Sequence, residues 1–187
     1  GGRGTNAKGI LDHLQQSHPD VYNGAQYTIM DSSPSLLELQ RNVLLHENVE
    51  HDRVLHLKSI DMLEVAERSV DFLEKSEVLT IVIAMELLDN LPHDKISVCN
   101  KTGTTLQTNL FRDKKSGQLN EVFVPLEDDL LSQIVNIYPS YIPLQGYSWI
   151  PSVATQMLTR VFEERPNAGI VLADFDYLPP PDVISTS

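Results

Sequence analysis

The amino-acid sequence predicts an α/β fold: a sheet of parallel strands with helices on both faces and an antiparallel β-hairpin or meander inserted into it. Three observations predict it. Helical and strand-like segments alternate over the first half of the 187-residue chain, the pattern of βαβ units joined by right-handed crossovers. The middle changes to short β-prone segments separated by the turn compositions Lys101-Thr102-Gly103 and Asp113-Lys114-Lys115-Ser116-Gly117. A late apolar run, Ile170-Val171-Leu172-Ala173, then supplies one more buried strand, ending at Asp174.

Ile10, Leu11 and Leu14 fall on one face of a helix from about Asn6 to Ser17, which Pro19 ends. Gln26 to Met30 is a short β-prone run bounded by Asn23-Gly24 and Asp31. Ser33 as N-cap and Pro34 at the first helical position start a second helix carrying Leu37, Val43 and Leu44. Val54 to Leu57 reads as a strand, Leu63 to Glu74 as a helix, and Val78 to Ala84 as a buried strand. Ile96 to Cys99, Thr104 to Phe111 and Glu121 to Pro125 form the inserted hairpin or meander. Leu126 to Ile137 reads as a helix, and Tyr138 to Pro151 as an aromatic, proline-containing loop. Val153, Met157, Leu158, Val161 and Phe162 make a core-facing helical stripe that Pro166 and Gly169 terminate. The tail from Pro179 to Ser187 reads as extended and mobile.

Composition excludes several classes of protein. A chain of this length fits one domain, and folding at this size buries roughly 70% of the unfolded surface. No apolar run approaches the roughly 18 residues of a membrane-spanning helix. Fourteen Lys and Arg against 26 Asp and Glu give a net charge of −12, which repels a polyphosphate backbone and favours a cationic partner; nucleic-acid binding is not expected. The single cysteine, Cys99, has no internal disulfide partner, so a reducing compartment fits. The sequence opens on Gly1-Gly2-Arg3-Gly4-Thr5, and such a cluster normally follows a strand, so a first strand is expected upstream of Gly1.

In an open parallel sheet, ligands bind beyond the carboxyl ends of the strands. Four such places carry polar groups here. Gly2-Arg3-Gly4-Thr5 precedes the first helix, where glycines permit close backbone approach and the helix N-terminus offers free N–H groups. Asp31 follows the next strand, 27 residues beyond Gly4, near the separation at which an acid grips an adenosine ribose; it equally reads as a cap for the helix at Pro34. Ser59, Ile60 and Asp61 follow the third strand and suit an adenine edge and face, though Asp61 also reads as a helix N-cap. Ala84-Met85-Glu86-Leu87-Leu88-Asp89-Asn90-Leu91-Pro92 follows the fourth and puts Glu86 near the reacting end of the ligand. Gly2 to Ala7 also satisfies G-x-G-x-x-A, which suits a nicotinamide or flavin dinucleotide, but no Tyr and Lys pair spaced on a helix for hydride transfer is found.

Gly1-Gly2-Arg3-Gly4-Thr5, then Ile29 to Leu36 with Gln40, then Ile83 to Pro92 resemble the MidA family of S-adenosylmethionine-dependent methyltransferases, whose eukaryotic members are mitochondrial complex I assembly factors. The resemblance is strongest from Gly1 to Pro92. It implies a class I methyltransferase, Rossmann-like sheet, divided into a cofactor-binding half at 1–94, a hairpin insertion at 95–125, the rest of the domain at 126–178 and the tail at 179–187. It implies S-adenosylmethionine as cofactor, held by Gly2, Gly4 and Thr5 of the turn and by Asp31. It also implies mitochondrial matrix localisation and a protein substrate, an arginine of a complex I subunit, whose guanidinium Glu86 and Asp89 would orient. Met85 stands where the family has Asn or His, Leu87 and Leu88 where it has two aromatics, and Asp174-Phe175 lacks the glycine of the family's late D-Y-G. These departures motivate an alternative, a methyltransferase-fold assembly or structural subunit without catalysis; a nicotinamide-dependent oxidoreductase is the second. The oligomeric state is open.

Other residues carry less. His46, His51 and His56, spaced by five, do not share a helix face, so no metal is expected. His93 reads as an exposed loop histidine, Cys99 as a packed strand thiol, and Asp113-Lys114-Lys115 as a solvated hairpin tip.

Overall fold

The computed structural model describes residues 2–68 and 70–174; Phe175 and the tail from Pro179 lie outside them. The chain divides into two compact units, Gly1–Ser76 and Glu77–Ser187. The strands do not join into the single sheet expected from the sequence. Among the described residues they form two parallel pairs and one four-stranded antiparallel sheet.

In the first unit, α1 (Thr5–Ser17), α2 (Pro19–Gly24) and α3 (Pro34–Glu47) accompany the strands β1 (Tyr27–Asp31) and β2 (Leu55–Ser59). A 3-10 turn at Val49–Arg53 precedes β2, and α4 (Met62–Ala66) follows it. Ser33 caps α3 as its sequence predicts, its hydroxyl accepting the Leu36 N–H at 3.3 Å with Pro34 at the first helical position. The crossover through α3 makes β1 and β2 parallel, with Asp31 opposite Ser59. Ala7 and Leu11 of α1, Tyr22 of α2 and Leu44 of α3 bury their side chains with Val54 and Leu55, and Tyr27, Ile29 and Leu57 pack against them. Pro19 ends α1 but starts α2 at once, a helix the sequence pattern does not predict.

The helix expected over Leu63 to Glu74 stops at Ala66. Arg68 turns into the left-handed region at φ 58°, which breaks the ladder, and Phe72 is buried beyond the break, accepting a hydrogen bond from Lys58 Nζ on its carbonyl. The apolar spacing reads as a stripe only if the helix runs on.

In the second unit, β3 (Thr80–Met85) pairs in parallel with β8 (Ala168–Ala173), Thr80 opposite Ala168 and Met85 opposite Ala173. Both runs read as buried strands because parallel strands are normally covered on both faces. They are not buried here: Ile81, Ile83, Met85, Val171 and Leu172 are 40–59% exposed, since the pair has no third strand among the described residues.

The inserted meander is present and larger than expected. Its order is β6-β5-β4-β7, formed by β4 (Asp94–Val98), β5 (Thr105–Arg112), β6 (Leu119–Pro125) and β7 (Tyr147–Ile150). β7 lies in the segment that the sequence predicts as a loop. Its alternation, with Ile150 buried and Trp149 half exposed, is a strand signature that Gly146 and Pro151 disguise. Helix α5 (Asp129–Ile137), capped by Asp128, packs Leu131, Ile134 and Val135 against Ile96 and Ile150. Helix α6 (Ser152–Glu164) buries Met157 and Val161, as its stripe predicts, but leaves Phe162 47% exposed rather than in the core. No helix among the described residues is long and apolar enough to cross a membrane.

Candidate functional site

The glycine turn is shaped around one buried side chain. Gly2 and Gly4 adopt φ of 62° and 85°, conformations that cost an L-residue about 1–2 kcal/mol. Gly4 is the N-cap of α1, and a Cβ there would lie 3.4 Å from Cα and Cβ of Gln40. Gln40 is fully buried. Its Nε2 donates to the Gly2 carbonyl at 2.9 Å and lies 3.5 Å from Asp31 Oδ2. One amide of α3 therefore ties the glycine turn to the aspartate at the end of β1. Gln40 Oε1 is buried without a hydrogen-bond partner among the described residues.

Asp31 does not cap α3, since Ser33 does; its Oδ1 accepts the Ser33 N–H at 3.0 Å, an Asx turn that fixes the carboxylate beyond the strand end. The longer Gln40 contact leaves Oδ2 with capacity to accept. Ser59 stands in register with Asp31 on the neighbouring strand, and the Ile60 N–H donates to the Asp31 carbonyl at 3.1 Å. Gly2, Gly4, Asp31 and Ser59 are thus brought to one edge of the first unit, with Thr5 opening α1 at the turn. Ile60 is buried. Asp61 is the N-cap of α4, its Oδ1 accepting the Leu63 N–H at 2.9 Å, the helix-cap role its sequence also offers.

Glu86 and Asp89 belong to the second unit. Glu86 follows β3 with φ 51°, uncommon for a long side chain and a form of strain that concentrates at functional turns. Its N–H bonds the Ala173 carbonyl at 2.7 Å, extending the β3–β8 ladder. Beyond it the turn is braced by Asp174, whose Oδ2 accepts the N–H groups of Leu88 at 2.8 Å and Asp89 at 3.1 Å. Asn90 Nδ2 donates to the Glu86 carbonyl at 3.1 Å and to Asp89 Oδ1 at 2.8 Å. The side chains of Glu86 and Asp89 are exposed, so this turn presents two carboxylates to solvent on a rigid frame. The sequence marks Asp174 as a strand end and as the partial match to the family's late D-Y-G; a carboxylate ending one strand beside an acidic turn ending its neighbour is the signal for its role.

His51 is fully buried, Nδ1 at 2.8 Å from the Tyr22 hydroxyl and Nε2 at 2.9 Å from Asp12 Oδ1. Lys8 pairs with the other oxygen of Asp12 at 2.6 Å, and Lys8 and His51 hold the Asp12 carboxyl below its ordinary range. No group of three or more His, Cys, Asp or Glu among the described residues is placed to hold a metal. His93 is half-buried rather than exposed, its Nδ1 2.7 Å from the Leu91 carbonyl. Cys99 is not a packed strand thiol. It lies in the β4–β5 turn, where hydrogen bonds from the Thr102 side chain and the backbone of Lys101 and Thr102 lower its pKa.

A glycine turn at a helix N-terminus, joined to an acid ending the next strand, is the arrangement of a nucleotide-cofactor-binding α/β protein. The chain belongs to the family described as "Putative S-adenosyl-L-methionine-dependent methyltransferase", whose model matches residues 1–186; S-adenosylmethionine is that family's cofactor. No curated protein matches it significantly. Among solved structures it is similar to a protein of Burkholderia thailandensis bound to S-adenosyl-homocysteine, with 18% identity and a TM-score of 0.48. The match covers 72% of this chain and 30% of that one.

Proposed function

We propose that this chain supplies the cofactor pocket and the acceptor-binding turn of a methyltransferase that modifies a protein side chain, with arginine as the acceptor. The observation that carries the proposal is Gln40, which binds the glycine turn and Asp31 into one preformed edge. The residues there fit S-adenosylmethionine. The first-turn amides of α1 lack helical acceptors and suit its carboxylate, and Asp31 Oδ2 and Ser59 suit its ribose and adenine. When bound, the cofactor supplies an electrophilic sulfonium methyl. Glu86 and Asp89 clamp the guanidinium, and Glu86 takes the proton that the acceptor nitrogen releases. This is positioning catalysis without a covalent enzyme intermediate. The net charge of −12 favours encounter with a cationic substrate.

Arginine, a complex I subunit as substrate and the mitochondrial matrix as location come from the family resemblance of Gly1 to Pro92. The test is calorimetric titration of the intact gene product with S-adenosylmethionine and S-adenosyl-homocysteine, followed by methyl transfer to arginine-containing protein from its own source. Binding with transfer supports the proposal. Binding without transfer points to a non-catalytic assembly subunit, and preference for NAD to an oxidoreductase.

A further inference from the structure

We propose, on the reading of the glycine turn and Asp31 as a cofactor pocket, that Gln40 is the residue that positions this pocket, and that the fold is less stable for holding it there. Position 40 belongs to the buried stripe of α3. Leu37 and Leu44 on either side of it are buried, and helical periodicity calls for a third apolar side chain between them. Glutamine stands there instead, fully buried.

The two ends of its amide fare differently. Nε2 donates to the Gly2 carbonyl at 2.9 Å and lies 3.5 Å from Asp31 Oδ2. Oε1 is buried and has no hydrogen-bond partner among the described residues, so it forfeits its hydration and receives no bond in exchange. The acceptors served by Nε2 do not need it for their own satisfaction: Gly2 is exposed and Asp31 half-buried, open to water. As a cross-link within the fold, the amide therefore loses more at Oε1 than it gains at Nε2. An apolar side chain of the same length would fill the stripe without that loss.

What the amide does provide is direction. Asp31 Oδ1 accepts the Ser33 N–H at 3.0 Å, and a carboxylate held at one oxygen can still turn about its Cβ–Cγ bond. Gln40 approaches the other oxygen and sets the carboxylate plane, while the long 3.5 Å contact leaves Oδ2 with capacity to accept from a ligand. The same nitrogen holds the Gly2 carbonyl, and the Gln40 stem lies where a Cβ on Gly4 would meet it at 3.4 Å, so turn and carboxylate keep one spacing. A buried polar group that breaks the local pattern and lowers stability, while fixing two groups of one site, is a positioning residue. Gln40 need not touch the ligand; it acts through Asp31 and Gly2.

Thermal denaturation and calorimetric titration with S-adenosyl-homocysteine test this on the intact protein, Gln40→Met, Asp31→Ala and the double variant. Gln40→Met keeps the length of the side chain and removes its polar end. Its thermal midpoint should rise by roughly 2–6 °C, while its affinity falls roughly tenfold. In the Asp31→Ala background the same substitution should weaken binding less, because the carboxylate it orients is gone. Gln40→Leu serves if the thioether packs poorly. A lowered midpoint in both apolar variants makes Gln40 a structural cross-link and overturns the proposal. Unchanged affinity, or a loss fully additive with that of Asp31→Ala, overturns it as well while leaving the cofactor reading in place. Absence of binding by the intact protein removes that reading instead, and the positioning role with it.

Discussion

Replacing Gly4 with Ala tests the glycine turn without touching any polar group. At φ 85° an L-residue pays the left-handed penalty of about 1–2 kcal/mol. The new Cβ would meet Gln40 at 3.4 Å, an ordinary van der Waals distance, so the backbone term decides the outcome. For a chain of this size each kcal/mol moves the thermal midpoint by about 2–4 °C, so Gly4→Ala should lower it by roughly 2–8 °C. Gly9 provides the internal control. It lies inside α1 without a positive φ, and a Cβ added there would meet nothing within 4 Å, so Gly9→Ala should instead stabilise by about 0.5–1 kcal/mol. Thermal denaturation followed by circular dichroism measures both. Equal shifts of the same sign would refute the reasoning, because they would mean that the turn does not depend on left-handed backbone.

Three further outcomes follow from the buried and strained groups. His51→Ala leaves the Tyr22 hydroxyl buried and Asp12 short of a partner, and should cost about 2–4 kcal/mol in urea denaturation. Asp12 is held below its ordinary value of 3.8, so its contribution is complete above that pH and is lost as pH falls through the folded-state value; burial raises Tyr22 and Tyr27 above 10.0, so theirs is complete below pH 10.0 and is lost as pH rises beyond it. A stability profile flat at both extremes would contradict this. Glu86→Gly relieves φ 51° and should raise the thermal midpoint slightly while abolishing methyl transfer; retained transfer would remove Glu86 from the reaction.

Much of the edge formed by the glycine turn and Asp31 is legible in the sequence because local chemistry dictates it. Ser33-Pro34 starts α3 whatever surrounds it, and Asp113 forms its turn through its own neighbours, accepting the N–H groups of Lys115 and Ser116. What stays hidden depends on tertiary partners. Glutamine on a helix reads as solvated, and only the packing of α3 against the turn makes Gln40 the bridge between Gly2 and Asp31. The spacing of His51 from His46 and His56 says nothing of its role, because its partners come from α1 and α2, 39 and 29 residues away. Apolar runs at β3 and β8 predict the strands correctly but not their exposure, because hydrophobicity records what a strand should meet and not what lies beside it.

In the proposed function, Asp31, held to the glycine turn through Gln40, grips the ribose of S-adenosylmethionine. The most direct test of that role is calorimetric titration of the intact protein and of Asp31→Ala with S-adenosyl-homocysteine. Saturable binding, weakened roughly tenfold to a hundredfold when the charged hydrogen-bond acceptor is removed, is the result predicted. Unchanged affinity in Asp31→Ala, or no binding by the intact protein, would contradict it.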